Sequence, residues 1–179
     1  MAPSKSIALG GILTALSLLI LYLLLIVPTN TLTLFTVSSF LVCLAHLVVS
    51  TRTAWLVYVS TSLLSFFFIP LHFTVLYVLF FGCYGALKLR IESLNHRLLE
   101  SFLKLAFLNS MFLITCLFLD KVLGLMIFEP FKLLVLNWFP DLSMLPLLII
   151  LGGIQIAFTL YDYGLTLLLE LFTRYLPLP

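Results

Sequence analysis

The segment KLRIESLNHRLLESFLK, Lys88–Lys104, lies between two long apolar runs and holds four of the nine Lys and Arg residues of the protein. Three more basic residues, Lys5, Arg52 and Arg174, stand near the ends of other apolar runs. Basic loops of membrane proteins are retained on the cytoplasmic side. These seven basic positions therefore predict which ends of the apolar segments lie inside the cell.

The composition is that of a membrane protein rather than a soluble one. Of the 179 residues, 63% are hydrophobic and 9% are charged, whereas soluble domains carry about 25% charged residues. Lipid accepts apolar side chains on the outside of a protein, provided that helices or a closed barrel satisfy the backbone. The apolar runs, such as Leu18–Val27, are continuous and lack the alternation of barrel strands. We therefore expect an all-α helix bundle forming a single integral-membrane domain over residues 1–179.

The apolar runs predict six transmembrane helices, with the first retained as a span rather than removed as a signal peptide. An even number of spans places both termini inside, with the seven basic residues at cytoplasmic ends. Lys88–Lys104 is then expected to form an interfacial amphipathic helix between helices four and five, or a docking surface for a partner. Helical ion pairs are expected at Lys88/Glu92 and Glu100/Lys104. The predicted spans are residues 7–27, 32–49, 54–69, 71–87, 105–119 and 145–172, with an outer amphipathic segment at 122–142.

Charge and motifs argue against several classes of function. The net charge of +2 is too small to indicate nucleic-acid binding. The sequence contains no GxSxG, GxGxxG or Walker-type GxxxxGK[ST] motif, so we expect neither an enzyme nor an ATPase, and no cofactor. Cys43, Cys83 and Cys116 lie in apolar runs without CxxC spacing, which predicts buried thiols rather than a metal site. A separate alternative is an intramembrane enzyme that uses Asp162 and His46 for its chemistry.

Small residues recur at helical spacing in three of the predicted helices, where they allow helices to approach closely in lipid. The stripe in helix one lies near its inner end, beside Lys5, where the helix of a partner can dock. In helices four and six we expect packing within the chain. The residues are Ala8, Gly11 and Ala15 in helix one, Gly82 with Ala86 in helix four, and Gly153 with Ala157 in helix six.

Polar side chains inside membrane spans are rare and often functional. Asp162, flanked by Tyr161 and Tyr163, is either an internal hydrogen-bond anchor or a ligand-binding or coupling group. Gln155 lies two turns earlier on nearly the same face and is expected to point into the bundle. The further candidates for buried polar residues are His46 on helix two and Asn109 on helix five.

The stretch SIALGGILTAL, Ser6–Leu16, together with the size and topology of the chain, resembles the substrate-binding (S) component of energy-coupling factor transporters. Many members of that family open helix one with an Ala/Gly-rich segment whose small residues contact a membrane coupling subunit. The resemblance implies that Ala8, Gly11 and Ala15 are partner contacts. It also implies that cytoplasmic ATPases energise uptake.

In that family, outer loops and later helices enclose a small vitamin or a metal ion. The resemblance implies a pocket near the 28–31 loop, with His72, Trp138 and Gln155 as substrate-binding residues. The outer half carries little charge, so the expected solute is small and largely uncharged. The chain also resembles the bacterial cell-shape membrane protein MreD in size and hydropathy, and the alternative function is that of a scaffold acting through helix–helix interfaces. Either function places the chain in the bacterial cytoplasmic membrane.

Overall fold

The computed structural model describes residues 3–94, 96–121 and 145–175, which form six helices and no strands. The helices are α1 Pro3–Tyr22, α2 Thr31–Val48, α3 Thr51–Phe68, α4 Leu71–Glu92, α5 Arg97–Lys121 and α6 Leu145–Tyr175. The all-α prediction is confirmed for these residues. The segment 122–142 and its predicted amphipathic character lie outside them.

Five of the six helices are long and apolar enough to cross a membrane. The exception is α3, which begins with Thr51 and Arg52 and buries several hydroxyl side chains. Large apolar side chains point outward from the bundle, among them Phe67 with 82% of its surface exposed. Lipid solvates such side chains, whereas water does not. These are the features of a multi-pass membrane protein. The five apolar stretches are Ser4–Leu25, Thr31–Val48, Leu71–Glu92, Leu98–Thr115 and Leu151–Tyr175.

Local signals in the sequence set the ends of α3. Ser50 precedes the helix in an extended conformation, and its side chain accepts a hydrogen bond from the Thr53 amide at 3.3 Å. This N-cap satisfies one of the free donors of the first turn. At the other end Pro70 forces Ile69 into the extended region, which stops the helix. The Thr74 hydroxyl then donates to the Ser65 carbonyl at 3.1 Å and ties the start of α4 to α3.

Helix α2 lies at the centre of the bundle and packs against α1, α3, α4 and α6. Its contact with α4 depends on Gly85, because a Cβ atom there would come within 2.7 Å of the Ser39 carbonyl oxygen. The Cys43 thiol donates to the Gly85 carbonyl across the same contact at 3.1 Å. The prediction of buried thiols is thus confirmed for Cys43, whereas Cys83 is only half-buried.

The π-helical stretch Tyr77–Gly82 lies in the middle of α4. A π-helix widens the turn and loosens its backbone hydrogen bonds. Hydroxyl groups from three other helices donate to the carbonyls of this stretch. The Ser39 hydroxyl donates to the Phe81 carbonyl at 2.8 Å, Tyr58 donates to Val78 at 2.9 Å, and Tyr161 donates to Phe81 at 3.3 Å. The irregular turn is therefore held by side chains of α2, α3 and α6.

One expectation from the sequence is wrong, and another is not met among the described residues. No interfacial helix separates α4 from α5, because α4 continues through Glu92 and α5 already begins at Arg97. Glu92 near the end of α4 pairs with Lys104 of α5 at 3.0 Å, so these two helix ends face each other. A Cβ atom on Gly153 of α6 would meet no atom of the described residues within 4 Å, so the expected packing of Gly153 and Ala157 within the chain stays a prediction.

We expect Gly85→Ala to destabilise the protein by about 1–3 kcal/mol, the usual range for overpacking a tight contact. The added methyl group must push α4 away from the Ser39 backbone, which cannot move by side-chain rotation. Gly153→Ala is the matched control, because the same methyl group meets open space there. The measurement is unfolding of both purified variants in detergent, and equal midpoints would contradict the close α2–α4 contact.

Candidate functional site: a buried ion cluster below an apolar cavity

Lys88 is fully buried although it carries a charge. Its ammonium group pairs with the Asp162 carboxylate of α6 and lies 2.7 Å from Glu92 Oε1, one turn further along α4. It also donates to the Thr166 hydroxyl at 2.9 Å. Tyr84, one turn earlier on α4, donates its hydroxyl to Asp162 Oδ1 at 2.6 Å. An amine in the interior of a membrane protein requires this density of acceptors to remain charged.

Lys104 brings α5 into the same cluster. Its Nζ atom lies 2.9 Å from Asp162 Oδ2, 3.0 Å from Glu92 Oε1 and 2.9 Å from Glu100 Oε1. Two lysines and three carboxylates therefore join α4, α5 and α6 at one level. The predicted helical pairs Lys88/Glu92 and Glu100/Lys104 both form. They form inside the bundle, however, rather than on an exposed helix face.

The partners of Asp162 differ from those suggested by the sequence. Tyr161 is buried, but its hydroxyl pairs with Ser39 at 2.7 Å and with the Phe81 carbonyl at 3.3 Å. Tyr163 is exposed, with 64% of its surface accessible. The tyrosine hydroxyl that donates a hydrogen bond to Asp162 belongs instead to Tyr84. Sequence reasoning looked for partners among neighbours along the chain and missed those on another helix.

An apolar cavity of about 300 Å³ lies between α4, α5 and α6, with Leu32 of α2 at its edge. Five of its ten lining residues are aromatic, and one of these, Tyr161, directly precedes Asp162 of the ion cluster in the sequence. The Thr115 hydroxyl is buried in the cavity wall and has no hydrogen-bond partner among the described residues. The lining of the cavity is therefore almost entirely apolar, and the Thr115 hydroxyl is covered by its neighbours rather than exposed in the cavity. The residues lining it are Leu32, Leu76, Phe80, Phe81, Phe112, Thr115, Ile154, Ala157, Phe158 and Tyr161.

Of the residues predicted to bind the solute, the two that the structure describes, His72 and Gln155, do not line this cavity. His72 is exposed beside Phe73, near the start of α4. Gln155 donates to the Asn109 side chain at 3.4 Å, so these two amides join α5 to α6. Asn109 is exposed on the described surface rather than buried. Trp138 lies outside the described residues.

His46 has a local role. Its Nε2 atom lies 3.1 Å from the Thr51 hydroxyl, across the short turn between α2 and α3. Its Nδ1 atom is buried without a partner among the described residues. The distance to Thr51 fits a histidine that holds a turn, and the ion cluster forms without it.

The small residues of α1 border a groove of about 500 Å³ between α1 and α3. Gly11 and Ala15 line the groove and are exposed, and Ser60 contributes a hydroxyl from α3. Gly10 allows α1 to approach α3, since a Cβ atom there would lie 3.3 Å from the Thr53 methyl group. Ala8 is exposed but does not line the groove. Two of the three predicted partner contacts therefore share one surface.

Comparison with protein-family models, curated proteins and solved structures finds no match to this chain.

We expect Lys88→Met to destabilise the protein by about 3–5 kcal/mol, the cost of removing one partner from a buried ion pair. The substitution leaves Asp162 and Glu92 near each other with one ammonium group instead of two. Arg90→Met is the control, since Arg90 is two residues away and exposed. The measurement is the free energy of unfolding in detergent, and similar losses for both variants would contradict the importance of the cluster.

Proposed function

We propose that this protein is the membrane-embedded substrate-binding subunit of an uptake transporter of the energy-coupling factor type. It binds a small, largely uncharged solute in the aromatic cavity between α4, α5 and α6. The cavity is the observation that carries the proposal. Its volume of about 300 Å³ is at the lower end of the range of small-molecule pockets.

The proposed topology has six spans and both termini in the cytoplasm. Contacts between the helices support it: Ser39 of α2 meets Phe81 of α4, and Cys43 meets Gly85. Residue numbers increase together along this contact, so α2 and α4 are parallel, as alternate spans must be. With the seven basic positions inside, the ion cluster lies toward the cytoplasm and the aromatic cavity lies above it, toward the outer face.

The lining of the cavity limits the kind of solute. Aromatic rings such as Phe80 and Phe112 offer apolar and stacking contacts. The Thr115 hydroxyl is buried in the wall, and the Tyr161 hydroxyl is already paired with Ser39, so the walls offer a solute few polar contacts. A charged solute would lose its hydration in this cavity without gaining a partner of opposite charge. A flat, weakly polar molecule of vitamin size or smaller fits these walls best.

Uptake against a gradient then requires other subunits. The sequence carries no Walker-type nucleotide motif, so cytoplasmic ATPases and a membrane coupling subunit would supply the energy. The groove between α1 and α3 is the proposed docking surface for that coupling subunit. Gly11 and Ala15 present little side chain there, so a partner helix can approach the backbone closely.

We expect Ala157→Phe to abolish solute retention, because the new ring occupies the cavity that Ala157 lines. Ile156→Phe is the matched control, since Ile156 lies next to it, is exposed and is not part of the cavity wall. The purified proteins are denatured and the released small molecules are identified by mass spectrometry. A tenfold loss of solute affinity in Ala157→Phe would correspond to a loss of about 1.4 kcal/mol of binding free energy. A compound retained equally by both variants, or no retained compound in wild type, counts against the proposal.

The groove also supports a second candidate function, that of a scaffold protein that acts by forming helix–helix interfaces with a partner. We expect Ala15→Leu to remove a co-purifying membrane partner, because the larger side chain fills the groove. Ala8→Leu adds the same atoms outside the groove and should leave the partner bound. Affinity purification from membranes with quantitative mass spectrometry gives the result. Partner loss in a protein that never retains a solute would favour the scaffold over the transporter.

A further inference from the structure

Tyr77 is fully buried in the bundle, and its hydroxyl has no hydrogen-bond partner among the described residues. It is the first residue of the π-helical stretch of α4. Two more buried hydroxyls that lack a described partner flank it, those of Ser38 on α2 and Thr61 on α3. Three hydroxyls from three helices therefore come together without bonding directly to one another.

Neighbouring hydrogen bonds bring the three hydroxyls to one level of the bundle. Ser39, the residue after Ser38, donates to a carbonyl of the π-helical stretch at 2.8 Å. Tyr58, about one turn before Thr61, donates to another carbonyl of that stretch at 2.9 Å. Helices α2 and α3 therefore both contact α4 beside its irregular turn. Ser38 and Thr61 each lie near the middle of their helices, so this level is remote from the helix ends.

The packing around Gly82 restricts the ring of Tyr77, so its hydroxyl cannot turn to a different partner. The five-residue spacing of a π-helix brings residue 77 close to residue 82. A Cβ atom on Gly82 would lie 2.9 Å from Tyr77 Cζ and 2.8 Å from Tyr58 Cδ2. The two rings therefore occupy the space that a side chain at position 82 would take. Since a phenol oxygen lies on the axis of its ring, holding the ring also holds the oxygen.

The chemistry of these three groups determines what can bind between them. A buried hydroxyl without a partner is costly, and the surrounding lipid supplies no hydrogen bonds. A buried water molecule typically makes about three hydrogen bonds to such groups. A hydroxyl can donate one bond and accept others, so each of the three can bond to a water. A cation is a poorer fit, because the three hydroxyls are neutral and bring no opposite charge.

We propose that a water molecule is bound between α2, α3 and α4 by the hydroxyls of Tyr77, Ser38 and Thr61. It accepts the hydrogen bond of Tyr77 and bonds to the other two hydroxyls, so each gains one partner. The water joins three helices beside the π-helical stretch, where the backbone hydrogen bonds of α4 are loosened. None of the three residues lines the apolar cavity. The site is therefore separate from the cavity and does not depend on the proposed transport function.

Radiolytic labelling tests the proposal, because an X-ray pulse converts water into hydroxyl radicals that oxidise the side chains beside it. The purified protein is irradiated in detergent, digested and analysed by mass spectrometry. We expect Tyr77 to be oxidised at least threefold faster than Tyr84. Tyr84 is the internal control, because it is equally buried but its hydroxyl is bonded to Asp162 at 2.6 Å. This comparison uses the wild-type protein alone and needs no variant to fold.

Two variants then remove partners of the water. Thr61→Val keeps the shape of the side chain but not its hydroxyl, and Ser38→Ala removes the hydroxyl of α2. We expect each to lower the oxidation rate of Tyr77 at least twofold. Ser65→Ala is the matched control and should leave that rate unchanged, because the Ser65 hydroxyl is buried but already donates to the Ser62 carbonyl at 2.7 Å.

Unfolding midpoints in detergent show which variants are folded, so that only folded proteins are compared. Oxidation of Tyr77 no faster than that of Tyr84 in the wild-type protein overturns the proposal. The same conclusion follows if the oxidation rate of Tyr77 is unchanged in folded Thr61→Val and Ser38→Ala. An experimental density map in which the three hydroxyls bond directly to one another also overturns it.

Discussion

The buried ammonium group of Lys88 is the constraint on which the arrangement of the later helices depends. Removing such a charge from water costs several kcal/mol unless acceptors surround it. Asp162 must therefore lie level with Lys88, which fixes the register of α6 against α4. A shift of α6 by one turn, about 5.4 Å, would bring Phe158 or Thr166 to that level instead and leave the ammonium without its counter-ion. Lys104 imposes the same condition on α5.

The first four helices are held differently, by close backbone contact and by hydroxyl groups. Gly85 lets α4 touch the backbone of α2 at Ser39. The Ser39 hydroxyl then bonds both the Phe81 carbonyl and Tyr161, so it joins α2, α4 and α6 at one point. In lipid, helix association gains little from burial of apolar surface. Two kinds of contact therefore replace the hydrophobic core of a soluble protein. Small residues permit close approach of the helices, and hydroxyls donate hydrogen bonds to backbone carbonyls.

Sequence reasoning predicted the helices well because its strongest signals are local. Continuous apolar runs, Pro70 and the serine before α3 mark spans and breaks without reference to the rest of the fold. It failed for Lys88–Lys104, where helical periodicity and alternating charge are equally compatible with an exposed amphipathic helix and with two helix ends that pair inside a bundle. Choosing between them requires knowing that Asp162, some seventy residues away, lies opposite Lys88. The cavity lining was missed for the same reason, because apolar residues such as Phe112 and Ala157 carry no signal that separates a cavity wall from ordinary packing.

Helix α6 connects the apolar cavity to the ion cluster within two of its turns. Ala157 and Phe158 line the apolar cavity. Tyr161 also lines it and pairs with Ser39 of α2, while the next residue, Asp162, belongs to the ion cluster. Adjacent residues of one helix cannot move independently, since the backbone hydrogen bonds of the turn connect them. Tyr161 and Asp162 therefore keep a fixed position relative to each other, so the cavity wall and the ion cluster share one turn of α6. The ion cluster is thus the anchor of α6 against α4 and α5.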